Sequence, residues 1–371
     1  MKFSLDRSSL QQALQQLGKV IPARTTLPIL SSVLVLARNG KLSLRATDLE
    51  ISQITTLSAD VSIEGSVAIP HRTLLEITSE MPEGDLSFEA TDDHRVQITT
   101  SFGSYSIMGK PLEEFPALPE VDAQQTVSIP SALLKRIIDK TIFAISRDEL
   151  KPSLQGVLFR FGKESLQAVA TDGHRLVRFI NTQFSGSDYV GDNIIPGKFL
   201  GILGTYLNGD EEAHLNIGEN HIMIQSQDTV LYTRIIEERF PDYESVFPKE
   251  STKNLKIERD EVLAAVRRVS IFSNKTTHQI AFQLKDNDLK VSTEDVETVS
   301  NAQETLSCEY SGEPLTIGYN ANYLRDILSH IDSSTVLIEL DSPVTAAIFY
   351  PDQQQENEEL TMLLMPIRLN D

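Results

Sequence analysis

Apolar residues fall at two spacings along this chain. Leu10, Leu14, Leu17 and Ile21 recur every three or four positions, as do Leu133 with Ile137, Val262 with Val266 and Val269, and Leu324 with Ile327, Leu328 and Ile331. That period lines one face of an α-helix. Six amphipathic helices are predicted, over residues 6–21, 71–79, 131–141, 197–207, 259–270 and 320–331. Between them run alternating segments such as Lys41-Leu-Ser-Leu-Arg and Val96-Gln-Ile-Thr-Thr, the period of half-buried strands. Asn39-Gly40, Asp172-Gly173 and Asn208-Gly209 punctuate them. Such pairs favour tight hairpins, so the sheets should be antiparallel and the class α+β.

The strand pattern repeats. Leu42-Ser-Leu-Arg-Ala-Thr47-Asp48, Leu166-Gln-Ala-Val-Ala-Thr171-Asp172 and Leu289-Lys-Val-Ser-Thr-Glu294-Asp295 stand 124 and then 123 residues apart. Apolar strands at Ile29–Leu34, Leu154–Phe159 and Ile280–Leu284 keep the same phase, as do the strand-helix units beginning at Ala68, Ile194 and Leu315. Each third also opens on a strand-helix unit, at Phe3, Val127 and Leu255. A self-similar period of this kind implies a triplicated domain whose copies fold alike. Polar stretches around Pro119–Gln125 and Pro248–Asn254 supply the seams, giving domains over 1–125, 126–252 and 253–371, each with two helices against antiparallel sheets.

Composition narrows the setting. With 371 residues and 40% apolar content the chain can bury substantial cores, and it holds no apolar run long enough for a membrane helix. The first residues lack the pattern of a secretory signal, and the single cysteine, Cys308, has no internal partner, so a cytoplasmic protein is expected. Cys308 lies in the alternating stretch Thr305-Leu-Ser-Cys-Glu-Tyr and reads as a packed strand thiol.

Charge cuts the other way at first. The net charge is −20, ordinarily an argument against nucleic acid. Yet the six helical segments carry a small net positive charge, so the acidity resides in strands, turns and loops. Helices tolerate Lys and Arg well and turns collect Asp and Glu, which explains part of this asymmetry. A mildly basic helical layer inside an acidic shell is the alternative reading. If those helices line a channel with axes about 9 Å apart, six make a circle about 17 Å across, nearly filled by helices about 10 Å thick. Twelve make one about 35 Å across with a hole near 25 Å, against a B-DNA width of roughly 20 Å judged from its groove depths. One chain could not surround a duplex; two closed head to tail could.

Four strings then bring a family into view: Thr26-Leu27-Pro28-Ile29-Leu30, Ala170-Thr171-Asp172-Gly173-His174-Arg175-Leu176, Arg239-Phe240-Pro241-Asp242-Tyr243 and Met365-Pro366-Ile367-Arg368-Leu369. In this order, on a threefold repeat, the chain resembles the bacterial sliding clamps, the β subunits of DNA polymerase III, over its whole length. The resemblance implies the DNA clamp fold, a ring-shaped head-to-tail homodimer around duplex DNA, and no enzyme activity, cofactor or metal. It implies sequence-independent topological binding of double-stranded DNA, and partners that dock through a short peptide: the polymerase III catalytic subunit, the clamp loader, other polymerases and repair proteins.

Carried onto this sequence, the family's peptide pocket maps to Leu154, Thr171, Gly173, His174, Arg175, Leu176, Pro241, Val246, Ser342, Val344, Leu363, Met365, Pro366, Ile367 and Arg368. The apolar members suit Leu or Phe side chains, Met adapts to differently shaped ligands, and Gly173 would hold His174 and Arg175 with their polar ends at the rim. The DNA-facing candidates are Arg24, Arg72, Lys135, Arg136, Lys140, Arg147, Lys198, Arg267 and Arg268, and the dimer seam is Tyr105 and Ile107 against Ile271 and Phe272. Ser245 stands where the family often has a basic residue, Asn370 and Asp371 extend the usual C-terminus, and Thr293–Thr298 replaces an Asn-Pro-rich acidic stretch. Two other readings compete. One is an acidic peptide-binding scaffold that never encloses DNA. The other is a hydrolase using Asp172 and His174, or Asp92, Asp93 and His94, but no phosphate loop, zinc motif or nucleophile elbow accompanies them.

Overall fold

The computed structural model describes residues 1–119, 121, 125–186, 188–207, 209, 211–226 and 228–369. The predicted turn residue Asn208 and the tail Asn370–Asp371 lie outside the described residues. All six helices form: α1 Arg7–Leu17, α2 His71–Glu80, α3 Ser131–Thr141, α4 Gly197–Leu203, α5 Arg259–Val269 and α6 Ala321–Ser329. α1 is shorter than its apolar spacing suggested. Asp6 caps its start by accepting from the Ser9 amide at 2.8 Å. At its end Gly18 sits so close to the His71 ring that a side chain there would meet it at 3.0 Å, and a turn follows. α4 also stops early, at Leu203, where Gly204 begins a turn.

By contacts the chain divides into two compact bodies, Met1–Leu134 with Lys198–Ile235, and Lys135–Gly197 with Ile236–Asp371. Each holds a large and a small antiparallel sheet among the described residues. In the first body, eight strands run in the order Gln125–Pro130, Glu212–Ile217, His221–Ser226, Thr229–Arg234, Ile51–Ser58, Lys41–Thr47, Ser32–Arg38 and Gly65–Pro70. The small sheet there is Asp60–Ile63, Lys2–Asp6, Asp85–Ala90, Arg95–Thr99 and Ser104–Met108. In the second body, nine strands run Gly191–Pro196, Gly156–Phe161, Leu166–Thr171, Arg175–Asn181, Glu358–Leu364, Ala347–Pro351, Thr335–Leu340, Lys253–Glu258 and Glu309–Ser311. Four more make its small sheet: Ser300–Ser307, Asp288–Asp295, Gln279–Lys285 and Leu315–Asn320.

The large sheets cross the repeat boundaries. Strand Thr229–Arg234 of the middle repeat pairs with Ile51–Ser58 of the first, and Glu358–Leu364 of the last repeat pairs with Arg175–Asn181 of the middle one. The copies also share a small signature after their last strand, an isolated bridge back to an edge strand: Ala68 with Lys110, Ile194 with Ile236 and Gly318 with Ile367. Beneath the sheets α1 packs on α2 and α5 on α6. Their buried faces contain Leu10, Leu14 and Leu17 on α1 and Val262, Val266 and Val269 on α5, as the spacing predicted, and add Ala13, Leu263 and Ala265, while Ile21 falls beyond the end of α1.

Cys308 is not inside a strand. It falls at the break between Ser300–Ser307 and Glu309–Ser311, where the chain leaves the four-stranded sheet for the nine-stranded one. Burial, helped by Asp288, pushes its thiol up to about 11, which suits an inert side chain rather than a nucleophile.

Candidate peptide pocket and charged surfaces

The recurring Thr-Asp pair closes a turn. Thr171 Oγ1 donates to the Arg175 carbonyl at 2.6 Å and accepts from the Gly173 amide at 3.1 Å. Asp172 Oδ1 accepts the amides of His174 and Arg175 at 2.9 and 3.0 Å. Thr47 and Asp48 make the same four bonds with Ile51, Leu49 and Glu50. The sequence repeat therefore has a local cause: a threonine and an aspartate satisfy the turn's backbone groups. The turn demands positive φ at its second loop position, +81° for Leu49 and +92° for Gly173. Glycine meets that without strain.

In the second body this turn overlooks an apolar floor. Leu158, Val169, Leu176, Ile194, Tyr243, Ala346 and Leu363 form one buried cluster, with Ile236, Phe240 and Phe247 packed against it. Leu176 faces Leu363 across the strand pair. Around the floor Val246, Val344 and Met365 are exposed. Pro241 and Arg368 are exposed too, whereas Ser342, Pro366 and Ile367 are half-buried and Leu154 is buried. Ser342 bonds Thr345 through their hydroxyls at 2.6 Å, shaping the loop that carries Val344. After strand Glu358–Leu364 the chain runs on with the Met365 amide bonded to the His174 carbonyl at 2.8 Å and the Ile367 amide to the Gly318 carbonyl at 2.9 Å. Residues Met365–Leu369 thus form a strap fixed at two points. All of the pocket residues expected from the sequence lie in this second body.

Arg175 departs from expectation. It is buried rather than at the rim, with Nε to Asp172 at 3.1 Å, Nη1 to Asp326 at 2.6 Å and Nη2 to the Phe143 carbonyl at 2.6 Å. Its guanidinium also lies over the Phe143 and Tyr323 rings, at 5.2 and 4.7 Å from their centroids. His174 remains exposed and stacks on the other partner of Arg175, Tyr323, at 5.8 Å. Sequence reasoning missed Tyr323 and Asp326, which sit on α6 off its Leu324, Ile327, Leu328 stripe. It quoted Phe240 and Tyr243 without assigning them to the floor. A tyrosine and an aspartate three apart on one helix face were the available signal.

Two of the cations expected to face DNA are engaged elsewhere. Lys140 is buried, donating to the His330 carbonyl at 2.6 Å and to Asp332 at 2.5 Å. Arg136 bridges Glu358 and Asp332, each at 2.7 Å. These two hold α3 residues to the chain around His330–Asp332 and are not free for phosphate. Lys198 pairs with Asp48 at 2.6 Å, Arg72 with Glu76 at 2.8 Å and Arg268 with Glu304 at 2.8 Å, though each stays accessible. Arg24, Lys135, Arg147 and Arg267 are exposed, with no ion pair among the described residues. The apolar side chains Tyr105, Ile271 and Phe272 are exposed, and Ile107 half-buried. The Asp172 carboxylate is spent on the turn and on Arg175, which leaves it no role as a base toward His174.

Comparison with known proteins agrees along the chain. It matches the family models of the DNA polymerase III beta subunit, the N-terminal domain over residues 1–119, the central domain over 128–242 and the C-terminal domain over 244–368. The beta sliding clamp of Salmonella typhimurium is 30% identical over 371 residues, spanning the whole of both chains. That of Vibrio cholerae is 29% identical over 372 residues with the same coverage. The crystal structure of the DNA polymerase III subunit beta from Pseudomonas aeruginosa superposes with a TM-score of 0.92 at 28% identity over all of both chains. For the sliding clamp of Bartonella birtlesii, solved bound to griselimycin, the TM-score is 0.94 at 28% identity with full coverage.

Proposed function

The chain belongs to the bacterial sliding-clamp family, the beta subunits of DNA polymerase III, and we propose that it works as a homodimer closed around duplex DNA, tethering partners by short peptides. Its function is that of a DNA sliding clamp in replication, and it is not an enzyme. The tethered proteins are the polymerase III catalytic subunit, the clamp loader, and other polymerases and repair proteins, in the cytoplasm. No helix among the described residues is long and apolar enough to cross a membrane.

One observation carries the dimer: the strands left over. Within each large sheet the last strand of a three-strand run in one repeat pairs with the last strand of such a run in the next, Thr229–Arg234 with Ile51–Ser58 and Glu358–Leu364 with Arg175–Asn181. Each small sheet ends on a strand of that kind, Ser104–Met108 and Ser300–Ser307, with no outer partner among the described residues. Their union across two chains would repeat the junction and remove both open edges. The internal registers specify the new one. Tyr232 faces Ser52, and Leu363 faces Leu176. The corresponding residues are Ser106 and Asn301, placed by the ladders Val96 with Ile107 and Glu294 with Asn301. Tyr105 should therefore face Ala302 of the second chain, and Ile107 should face Ser300. Tyr105 and Ile107 point to the helix side with Val96 and Ile98, where Ile271 and Phe272 would cover them. Neither strand has a charge at the paired positions, so the seam is apolar and amide-rich rather than ionic.

The same comparison of junctions supports one peptide site per chain. At the junction holding Leu176, Leu363 and Met365 the equivalent positions in the first body are Ser52, Tyr232 and Arg234, which offer polar groups in place of an apolar floor. Burial of Leu or Phe side chains at about 25 cal/mol per Å² favours only the former. Enclosure itself needs few phosphate contacts. Four exposed, unpaired arginines and lysines are enough to centre a duplex without gripping it, since each tight contact adds salt-dependent affinity and drag.

Two measurements test this. A Tyr105→Cys/Ala302→Cys chain in a Cys308→Ala background should oxidise to a covalent dimer. Loaded on circular DNA, the protein should be retained until the circle is cut once. Equal retention on cut and intact circles would leave only a peptide-binding scaffold.

A further inference from the structure

The third copy of the Thr-Asp turn is different. Thr47 pairs with Ser52 and Thr171 with Leu176, each pair enclosing four residues, whereas Glu294 pairs with Asn301 and encloses six, with Asp295 and Ser300 extending the ladder by one pair. The longer tip is tied by hydrogen bonds to Asp295. Asp295, itself buried, accepts from the Asn274 amide group and the Glu297 amide at 3.2 Å and from the Thr298 hydroxyl at 2.7 Å. This frame pushes two valines outward, Val296 and Val299, 82% and 89% exposed. Val299 has φ +53°, a conformation that a β-branched residue adopts only at a cost. Among the described residues, no hydrogen bond to Val299 offsets that cost.

The two internal junctions indicate what does. In each, the residue at the end of the joining strand or just past it donates its amide to the carbonyl of a turn residue: Arg234 to Glu50 at 3.0 Å and Met365 to His174 at 2.8 Å. In the register proposed above, which this inference rests on, those two positions become Met108 of one chain and Val299 of the other. Met108 is built for the part. The Gly109 amide bonds His94 at 2.9 Å just as the Ile235 amide bonds Asn220 at 2.9 Å, so strand alternation turns the Met108 amide outward, as it does that of Arg234. Its side chain is 54% exposed on the outer sheet face, where Met365 lines the pocket.

We propose that the Asp295–Ser300 hairpin tip is a latch on a second copy of this chain, Val299 receiving the Met108 amide on its carbonyl while Val296 and Val299 cover the Met108 side chain. The fully assembled dimer then has no exposed apolar tip. It also has a contact outside the strand pairing, at the place where the internal junctions instead leave a turn with one hydrogen bond.

Paired-cysteine chains in the Cys308→Ala background separate this from the dimer itself. Met108→Cys/Val299→Cys reports the latch, and Tyr105→Cys/Ala302→Cys reports the strand pairing. Oxidation of both to covalent dimers is the expected result. Covalent dimer from the strand pair alone would overturn the latch and leave the ring standing. Neither pair reacting would overturn both. With the native residues restored elsewhere, Val296→Ser/Val299→Asn should raise the dimer dissociation constant by about tenfold in sedimentation, with an unchanged melting temperature for the separated chain. An unchanged dissociation constant would overturn the latch.

Discussion

Met365 and His174 are joined by a main-chain hydrogen bond of 2.8 Å, the amide of the first donating to the carbonyl of the second. The strap after the last strand is thereby tied to the turn that overlooks the apolar floor. Its other anchor, the Ile367 amide on Gly318, requires glycine, because a Cβ there would lie 2.6 Å from the Ile367 carbonyl. Gly318→Ala should lift the strap and move Met365. A labelled peptide with a Leu-Phe end should bind about tenfold more weakly by fluorescence anisotropy, with the melting temperature lowered by only a few degrees.

Arg175 separates pocket geometry from pocket chemistry. It is buried, and its fork holds Asp172, Asp326 and the Phe143 carbonyl together. Arg175→Lys keeps the charge and loses the fork, leaving a buried carbonyl and a carboxylate short of donors. A loss of about 2 kcal/mol in urea unfolding is expected, together with weaker peptide binding. His174→Ala should weaken binding alone.

The cations divide by burial and ion pairing. Arg24, Lys135, Arg147 and Arg267, changed together to Gln, should shorten retention on circular DNA and flatten its dependence on salt, leaving stability intact. Lys140→Gln and Arg136→Gln should do the reverse, because they strand Asp332 and Glu358 near the His330 carbonyl; a loss of about 2–3 kcal/mol is expected for Lys140. Thermal melts beside salt titrations read both.

Burial holds the imidazoles of His71 and His330 below their usual range. As the pH falls through about 6.5, histidines of the unfolded chain therefore take up protons first. The unfolded state then binds more protons, and stability declines. This contribution is complete above that pH and is lost progressively below it. Melting temperature should drop between pH 7.5 and 5.5, and His330→Gln should reduce the slope. His330 stacks on Phe143 at 3.8 Å beside Lys140, so a charged ring there would meet a second cation.

Periodic features were legible in the sequence. Much of the buried faces of α1 and α5, the Thr-Asp turn of the first two repeats and the antiparallel strands follow from spacing that one chain displays by itself. What escaped was long-range and polar. Lys140 and Asp332 stand 192 residues apart, and nothing at either position marks the pair. Arg175 looked like a rim residue because it follows an exposed turn, and only Tyr323 and Asp326, brought in from α6, make its burial tolerable. The tenants of the pocket floor were visible as a motif, but that Phe240 and Tyr243 fold back over the strands depends on packing that no local period encodes.

The sheets that ignore the repeat boundaries set a timetable for synthesis. Thr55 and Thr229 have their hydroxyls 3.3 Å apart across adjacent strands, yet 174 residues of chain separate them. At roughly 5–20 residues per second, the strand Ile51–Ser58 leaves the ribosome about 9–35 seconds before its neighbour exists. For that interval it is a sticky edge that depends on chaperones or on the nascent chain's own slowness to collapse. The strands Ser104–Met108 and Ser300–Ser307 wait longer still, because their proposed neighbours arrive only on another molecule, so low expression should cost this protein assembly before it costs it folding.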